Sequence, residues 1–381
     1  MITLKLLIRY PVAGVKASRL VSRKKAADSA ALSSPPLVLD LRTTNLMFDG
    51  GRHLYTMAHY AAENRVKTLL RCRHFLLSGI VHKTFGREML NLPHSGYLRS
   101  GEKIPENALV LGDYQITRSE KECFDARGSR YMRMQIGREV PTQPPIMPYP
   151  MHPWTLEYLD EDQRHLLRNL QKRQNLILFA GCQKPKYGTK WMREQFKILS
   201  RLEVLDVVRN HFPKQVTETR SQDKVNWDTC DQDRAVEDCH VPPKIIQLLD
   251  SKNFPIDSKG WLAKLAGSHF FLCGPGGRQP ICHHLTEAMA VGTIPILEYG
   301  DRVYPELTDG INAIRFSGKD GLVESIRRVL SMEQTELNQM RQSVIAFYDQ
   351  HLCGRHFFAQ LLSGKIAGDR IAMPFHEKNF T

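Results

Sequence analysis

Short apolar runs alternate with longer stretches of helical period along most of this 381-residue chain. Leu37–Leu41 (LVLDL), Lys67–Leu70, Leu109–Leu111 and Tyr131–Ile136 have the length and composition of strands, as do Asn175–Ala180 (NLILFA), Ser268–Cys273 and Thr293–Leu297 further on. Between them Leu54, Met57, Ala58 and Ala61 recur at helical spacing. Phe196, Leu199, Leu202 and Val207 do the same in a helix expected from Met192 to about His211. Further helices are predicted over Thr155–Arg173, Asp320–Met332 and Gln334–His351. Residues 71–108 read as loop-rich, with Gly79, Gly86, Gly96 and Gly101, and the tail from Gly364 as polar and loosely held. Strands that take turns with helices predict an α/β protein with parallel sheets, because a parallel pair needs a long crossover.

One segment breaks the pattern. Val140–Trp154 (VPTQPPIMPYPMHPW) holds six prolines, which bar regular structure and stiffen a connection. The expected organisation is therefore a basic, partly disordered arm over 1–36, a first domain over 37–150 and a second over 151–345, with a helix end and tail over 346–381. His152, followed by Pro153, reads as a turn residue or as a substrate contact.

The candidate chemistry centres on Ser268–Leu297, SHFFLCGPGGRQPICHHLTEAMAVGTIPIL, which reads as strand, glycine loop, helix and strand. Pro280 suits the first turn of the helix and Gly292 its C-cap. His283, His284 and Glu287 fall within about a third of the helix circumference. Gly274, Gly276 and Gly277 leave backbone amides accessible at the positive end of a helix dipole, a seat suited to a diphosphate. Arg278 adds a fork of donors, and Glu287, one turn deeper, suits a ribose diol. Spacing alone leaves a second reading open, a tight glycine turn beside a solvated histidine face, since the pattern is neither Walker A nor GxGxxG.

Trp261–Leu297 resembles the donor-binding half of glycosyltransferases of the GT-B architecture, two facing Rossmann-like domains with a cleft between them, and within these the exostosin-like family. That family carries a Ser-x-Phe-x-Leu-x-Pro-x-Gly strand and loop, then an Arg-x-x-Glu-Ala…Gly-x-Ile-Pro-Val helix and strand. Ser268, Phe270, Leu272, Pro275, Gly277, Glu287, Ala288, Gly292, Ile294 and Pro295 fit it, with one extra residue before Pro275. His284 stands where the family has arginine, and imidazole is a weaker, pH-dependent phosphate partner. Pro305–Ile314 (PELTDGINAI) is similar to the segment after the donor site in several retaining GT-B families. Phe179-Ala180-Gly181 also resembles the family, which implies that Lys184, Lys186 and Arg193 approach donor phosphates. Gly50-Gly51 resembles the loop that faces the donor in GT-B enzymes, which makes Asp49 and His53 candidates for acceptor deprotonation; a glycine turn capped by Asp49 is the other reading. The last helices of such proteins often cross back to the first domain, and Ile345, Phe347 and Tyr348 are offered for that contact.

Charge adds to this picture. A formal +13 favours anionic partners, and Lys5, Arg9, Lys16, Arg19, Arg23, Lys24 and Lys25 precede the first acid, Asp28, so the arm offers a peripheral membrane contact. No run approaches the roughly eighteen apolar residues of a membrane span. Animal exostosin relatives carry an amino-terminal anchor, so a bacterial or truncated form is expected. Eight scattered cysteines without CxxC point to free thiols and a reducing, cytoplasmic location, and the basic arm is read either as a partly disordered tail or as a tether to the inner membrane face. Asp231-Gln232-Asp233 reads as an acidic loop rather than a metal site, and Cys230, Cys239 and His240 match no common zinc spacing. The expectation is a metal-independent glycosyltransferase, without cofactor, moving sugar from a nucleotide diphosphate sugar to a glycan or lipid-linked acceptor. The alternatives are a nucleotide-sugar epimerase of the same fold and a non-catalytic binder of anionic membrane surfaces or nucleic acid. No nucleic-acid partner is expected, since aromatics are not interleaved with the basic runs.

Overall fold

A computed structural model of the chain describes residues 10, 12–21, 35–136, 145–170, 173, 175–218, 245–252 and 256–373. These fall into two compact units, Met1–Pro153 with Cys353–Thr381, and Trp154–Leu352. The acidic Asp231–Asp233 segment and the Cys230, Cys239 and His240 group lie outside the described residues.

The first unit holds strands β1 (Leu37–Asp40), β2 (Thr68–Cys72), β3 (Ser95–Arg99), β4 (Leu109–Gly112), β5 (Arg130–Gln135) and β12 (Arg370–Ala372). They form one parallel sheet in the order β12-β5-β4-β1-β2-β3. Its helices are α1 (residues 12–21), α2 (Arg52–Glu63), α3 (His74–His82), α4 (Thr84–Asn91), α5 (Arg118–Asp125) and α14 (Gly354–Leu362). The second unit holds β6 (Asn175–Gly181), β7 (Val216–Glu218), β8 (Ile246–Asp250), β9 (Ser268–Leu272), β10 (Ile294–Leu297) and β11 (Ile314–Arg315), in the order β11-β10-β9-β6-β8-β7 and again parallel. Its helices are α6 (Pro153–Leu156), α7 (Glu161–Arg168), α8 (Trp191–Phe196), α9 (Arg201–His211), α10 (Ser258–Ala266), α11 (His283–Ala290), α12 (Gly318–Ser331) and α13 (Gln334–Phe347). Each sheet starts at a central strand and grows first to one side, then to the other. Right-handed crossovers therefore put helices on both faces, which is the Rossmann-like construction. The central strands are buried on both faces and read as unbroken apolar runs: Leu37, Val38 and Leu39 are fully buried, as are Ile177 and Leu178.

Several expected elements differ. Residues 71–108 are not loop-rich; they fold into α3, α4 and β3, and Gly96 lies inside a strand. The helix expected over Thr155–Arg173 is two short ones, α6 and α7. The helix expected from Met192 breaks because Lys197 adopts a left-handed conformation (φ 61°) and Ser200 starts α9 with a capping box to Glu203. The tail beyond Gly364 is not loose throughout, since β12 adds the sixth strand of the first sheet with Ile371 fully buried. The proline segment runs beside that strand: Met147 N–H donates to Ala372 O at 2.8 Å, and Met147, Tyr149 and Met151 are buried. In the basic arm, α1 buries Ala17, and His74 bonds Tyr10 Oη at 3.0 Å and Ser18 Oγ at 2.9 Å.

One buried group predicts a pH effect. His269, near the start of β9, is 4% exposed, with Arg341 Nη2 2.9 Å from its Nδ1. Burial first, then Arg341 and Arg173, push its pKa down to about 3. A base depressed in the folded state takes up protons preferentially on unfolding, so stability is complete above the unfolded pKa near 6.5 and is lost as pH falls towards 3. Urea unfolding at pH 5 should give about 2 kcal/mol less stability than at pH 7 from this group. His269→Gln should remove that part of the difference.

Candidate functional site

In the second unit strand order reverses at β6, so the carboxyl ends of β6 and β9 flank the switch point where open α/β sheets bind ligands. The loops after these two strands contain most of the expected donor residues. Arg201, the first residue of α9, ties them together. It is 5% exposed, donates from Nε to Pro275 O and from Nη1 to Cys182 O, both at 3.1 Å, and lies 4.1 Å over the Tyr187 ring. Tyr187 in turn abuts the glycine loop, since a Cβ on Gly277 would sit 3.5 Å from its ring. Trp191 donates from Nε1 to Arg278 O at 2.8 Å and holds the loop from the α8 side.

The glycine loop is more internally bonded than its sequence predicts. Cys273 N–H donates to Ile296 O at 2.9 Å, Gly274 N–H to Leu272 O at 3.0 Å and Gly276 N–H to Pro280 O at 3.1 Å. Gly276 is required there, because a Cβ would stand 2.6 Å from Gln279 O. The amides of Gly277 and Arg278 have no backbone acceptor among the described residues, and both residues are exposed. Pro280 does not open the helix: α11 starts at His283 behind an extended Cys282, and Pro280 spends its carbonyl on the loop turn.

On the first turns of α11 the His283 and His284 rings lie 4.3 Å apart, and Trp261 of α10 packs 4.8 Å from His284. Glu287 lies at the buried end of the group, fully inaccessible, and its Oε2 accepts from Trp261 Nε1 at 2.7 Å. His284 faces the end of β6, where a Cβ on Gly181 would lie 3.7 Å from its Cε1. Possible ligand atoms of His283, His284 and Glu287 lie within 4.8 Å of one another, so the same group has the spacing to hold a metal ion. Glu298, after β10, spends its two oxygens on Leu199 N–H and Gly318 N–H, both at 2.6 Å.

The basic residues are placed unevenly. Lys186 Nζ lies 5.0 Å over the Tyr187 ring, beside the loop, and Lys184 is exposed at the start of the same short turn. Arg278 is exposed at the loop tip. Arg193 is engaged by Glu203 at 2.6 Å.

Asp49 and His53 lie in the first unit, in the connection after β1. Asp49, Gly50 and Gly51 have successive φ of 48°, 68° and 83°, and a Cβ on Gly51 would meet Gly86 N at 3.0 Å. Only a glycine tolerates that combination at 51. The turn leaves Asp49 exposed and paired with Arg52 Nε, while Arg52 is buried and donates from Nη2 to Tyr149 Oη. His53 is 4% exposed, edge-on to the Tyr149 ring at 6.2 Å. His152, from the proline segment, packs 5.2 Å from Phe85, and burial, then Arg52, lower its pKa. Asp49, Arg52, His53, Tyr149 and His152 thus form one group.

Sequence reasoning missed Arg201, Tyr187, Trp191, Arg52 and Tyr149. Each acts through a partner distant in sequence, so no local period marks it. A signal for Trp261 was present, a tryptophan in the stretch that carries the resemblance, but its partner was not legible.

No family model matches the chain, and no curated protein matches it. Among solved structures, a glycosyltransferase from Rickettsia africae aligns over 86% of this chain and 97% of its own, at 9% identity and a TM-score of 0.45. An alpha-glucosyltransferase solved with UDP and a mismatched DNA 13-mer aligns over 87% and 99%, at 12% identity and a TM-score of 0.41. Sucrose-phosphate synthase from Thermosynechococcus elongatus aligns over 87% and 98%, at 11% identity and a TM-score of 0.40.

Proposed function

We propose that the chain is a GT-B glycosyltransferase, exostosin-like in its donor segment, that moves a sugar from a nucleoside diphosphate to a hydroxyl of a glycan or lipid-linked acceptor. The observation that carries this reading is the buried Glu287–Trp261 pair under two adjoining histidines, at the strand-order switch point and beside a loop with two exposed residues whose amides have no backbone acceptor among the described residues. Trp261 fixes one oxygen of the Glu287 carboxylate, an acceptor-only group. Because Glu287 is fully buried, the ribose hydroxyls reach its other oxygen only when donor binding moves the His283 and His284 side chains aside. The Gly277 and Arg278 amides, the Arg278 guanidinium and Lys186 meet the diphosphate, with Lys184 at the mouth of the turn. His283 and His284 stabilise the charge that grows on the leaving oxygen as the sugar–phosphate bond breaks. In the first unit His53 or Asp49 receives the proton of the acceptor hydroxyl as its oxygen bonds to the sugar. The reading includes no metal, so transfer should persist in excess chelator; loss of transfer would assign the His283–His284–Glu287 group to an ion instead. It also places the enzyme in the cytoplasm, with the basic arm available to an anionic membrane face. Among the described residues no helix is long and apolar enough to cross a membrane.

The test is a calorimetric and thermal-shift series with nucleoside diphosphates and their sugars. A stabilised melt with one base defines the donor. No response to any of them would sink the proposal. Of Asp49→Asn and His53→Ala, the variant that removes the base should slow transfer about 100-fold while the donor Kd stays put, since a general-base group contributes on that scale. An unchanged rate in both variants would remove the first unit's group from the chemistry.

A further inference from the structure

A charged cavity lies wholly within the first unit. It encloses about 810 Å3 between α5, the exposed face of β5 and the chain leading into β12. Arg118 and Lys121 line it from α5, Arg130 and Arg133 from β5, and Arg370 from β12, against two carboxylates, Asp125 and Asp369.

The sheet itself forces two of these cations together. Met132 and Met134 are buried on one face of β5, so Tyr131, Arg133 and Gln135 take the other. β12 pairs with β5 in parallel register with Arg370 beside Arg133, and neighbouring strands lie about 4.8 Å apart. Like charges at neighbouring register positions repel, and an unoccupied site bears that cost without return. The internal partners do not neutralise it. Arg133 donates to the neutral Gln115 Oε1 at 2.8 Å, and Arg130 to the carbonyls of Ile366 and Gly368. The pairs Arg118–Glu122 at 3.0 Å and Arg370–Asp369 at 3.5 Å are largely exposed, where such pairs bind weakly. The amino end of α5 takes no part, because Thr117 and Glu120 already cap it.

Shape restricts the ligand further. Arg118 and Lys121 stand three residues apart on one helix face, and α5 runs for about 12 Å along the trough. The floor is apolar, with Tyr131 stacked on Phe124 at 5.3 Å and Ile116 beside them. We propose that this trough binds an oligoanion with at least two phosphate-class groups spaced along it, independently of the donor loop in the second unit.

The test uses the full chain, titrated calorimetrically with inorganic tripolyphosphate and sedimented with phosphatidylglycerol or phosphatidylcholine vesicles. Tripolyphosphate also suits the diphosphate seat at the donor loop, so the trough's binding step is the one that Arg278→Ala leaves intact and that Arg133→Glu with Lys121→Glu weakens about 100-fold, near tenfold per charge-assisted contact. Lys121→Ala with Arg118→Ala repeats the measurement without touching the sheet, and unchanged melts show that the variants fold. Tripolyphosphate binding with this dependence identifies a soluble oligoanion; the same dependence seen only with anionic vesicles identifies neighbouring lipid headgroups whose phosphates together supply the two groups, and either supports the site. Full binding by the double variants, or binding of neither probe by the wild type, overturns it.

Discussion

Glu287→Gln should raise the dissociation constant for the donor nucleotide by about 10- to 100-fold while leaving the melting temperature almost unchanged. Hydrogen bonds to a charged partner contribute about 1.5–3 kcal/mol, and each 1.4 kcal/mol is a factor of ten in affinity. Glutamine keeps an oxygen for Trp261 Nε1, now 2.7 Å from Glu287 Oε2, so the α10–α11 contact survives, while the charge is withdrawn and the second oxygen becomes an NH2 that donates where the carboxylate accepted. Glu287→Ala should lose the same affinity and also about 1–3 kcal/mol of stability, because it strands the Trp261 indole N–H in a buried place. The pair separates a ligand role from a packing role by calorimetry and urea unfolding. A glutamine variant that binds nucleotide as the wild type does would leave Glu287 a packing residue, and with it the ribose assignment would fail.

Arg201→Leu should destabilise the second unit by about 3–5 kcal/mol, since one buried and one part-buried carbonyl lose their donors and an aromatic face loses its cation. The carbonyls are those of Cys182 and Pro275, one from each loop at the switch point. Losing the bridge frees these loops to move apart, so nucleotide affinity should fall at least tenfold even where the variant is still folded. Arg201→Lys keeps the charge but presents one compact ammonium instead of a fork, so it should recover part of the stability and little of the affinity. A double-mutant cycle with Tyr187→Leu should show coupling, because the ring and the guanidinium are in contact at 4.1 Å. Strict additivity, with loop-dependent affinity intact, would remove Arg201 from any positioning role.

The strands were the most legible part of the molecule. Leu37–Asp40, Asn175–Gly181, Ser268–Leu272 and Ile294–Leu297 stand where apolar runs place them, because a strand buried on both faces needs apolar residues at every position. β3 escaped notice since its sequence, SGYLR, carries a glycine and few branched residues, and its parallel pairing with β2 supplies what composition does not. β12 escaped for a similar reason: three residues in a polar tail become a strand only because β5 offers an open edge. The break at Lys197 was hidden because helical spacing continues across it, whereas the Ser200–Glu203 capping box was locally readable and outweighed the period.

The candidate site divides along the same line. Glycines, prolines and the pair of histidines were visible in the sequence because each restricts its own backbone or presents its own chemistry, so loop, helix and strand could be placed around them. Which loop amides remain open was decided by the closed structure: Cys273, Gly274 and Gly276 give theirs to carbonyls that only the folded loop and sheet bring near. Local periodicity encodes which face of an element is buried. The partner of a buried polar group, by contrast, depends on chain segments 26 residues apart for Trp261 and Glu287 and 74 for Arg201 and Pro275. Low-dielectric surroundings make such groups demand a partner, but topology alone selects which one they find.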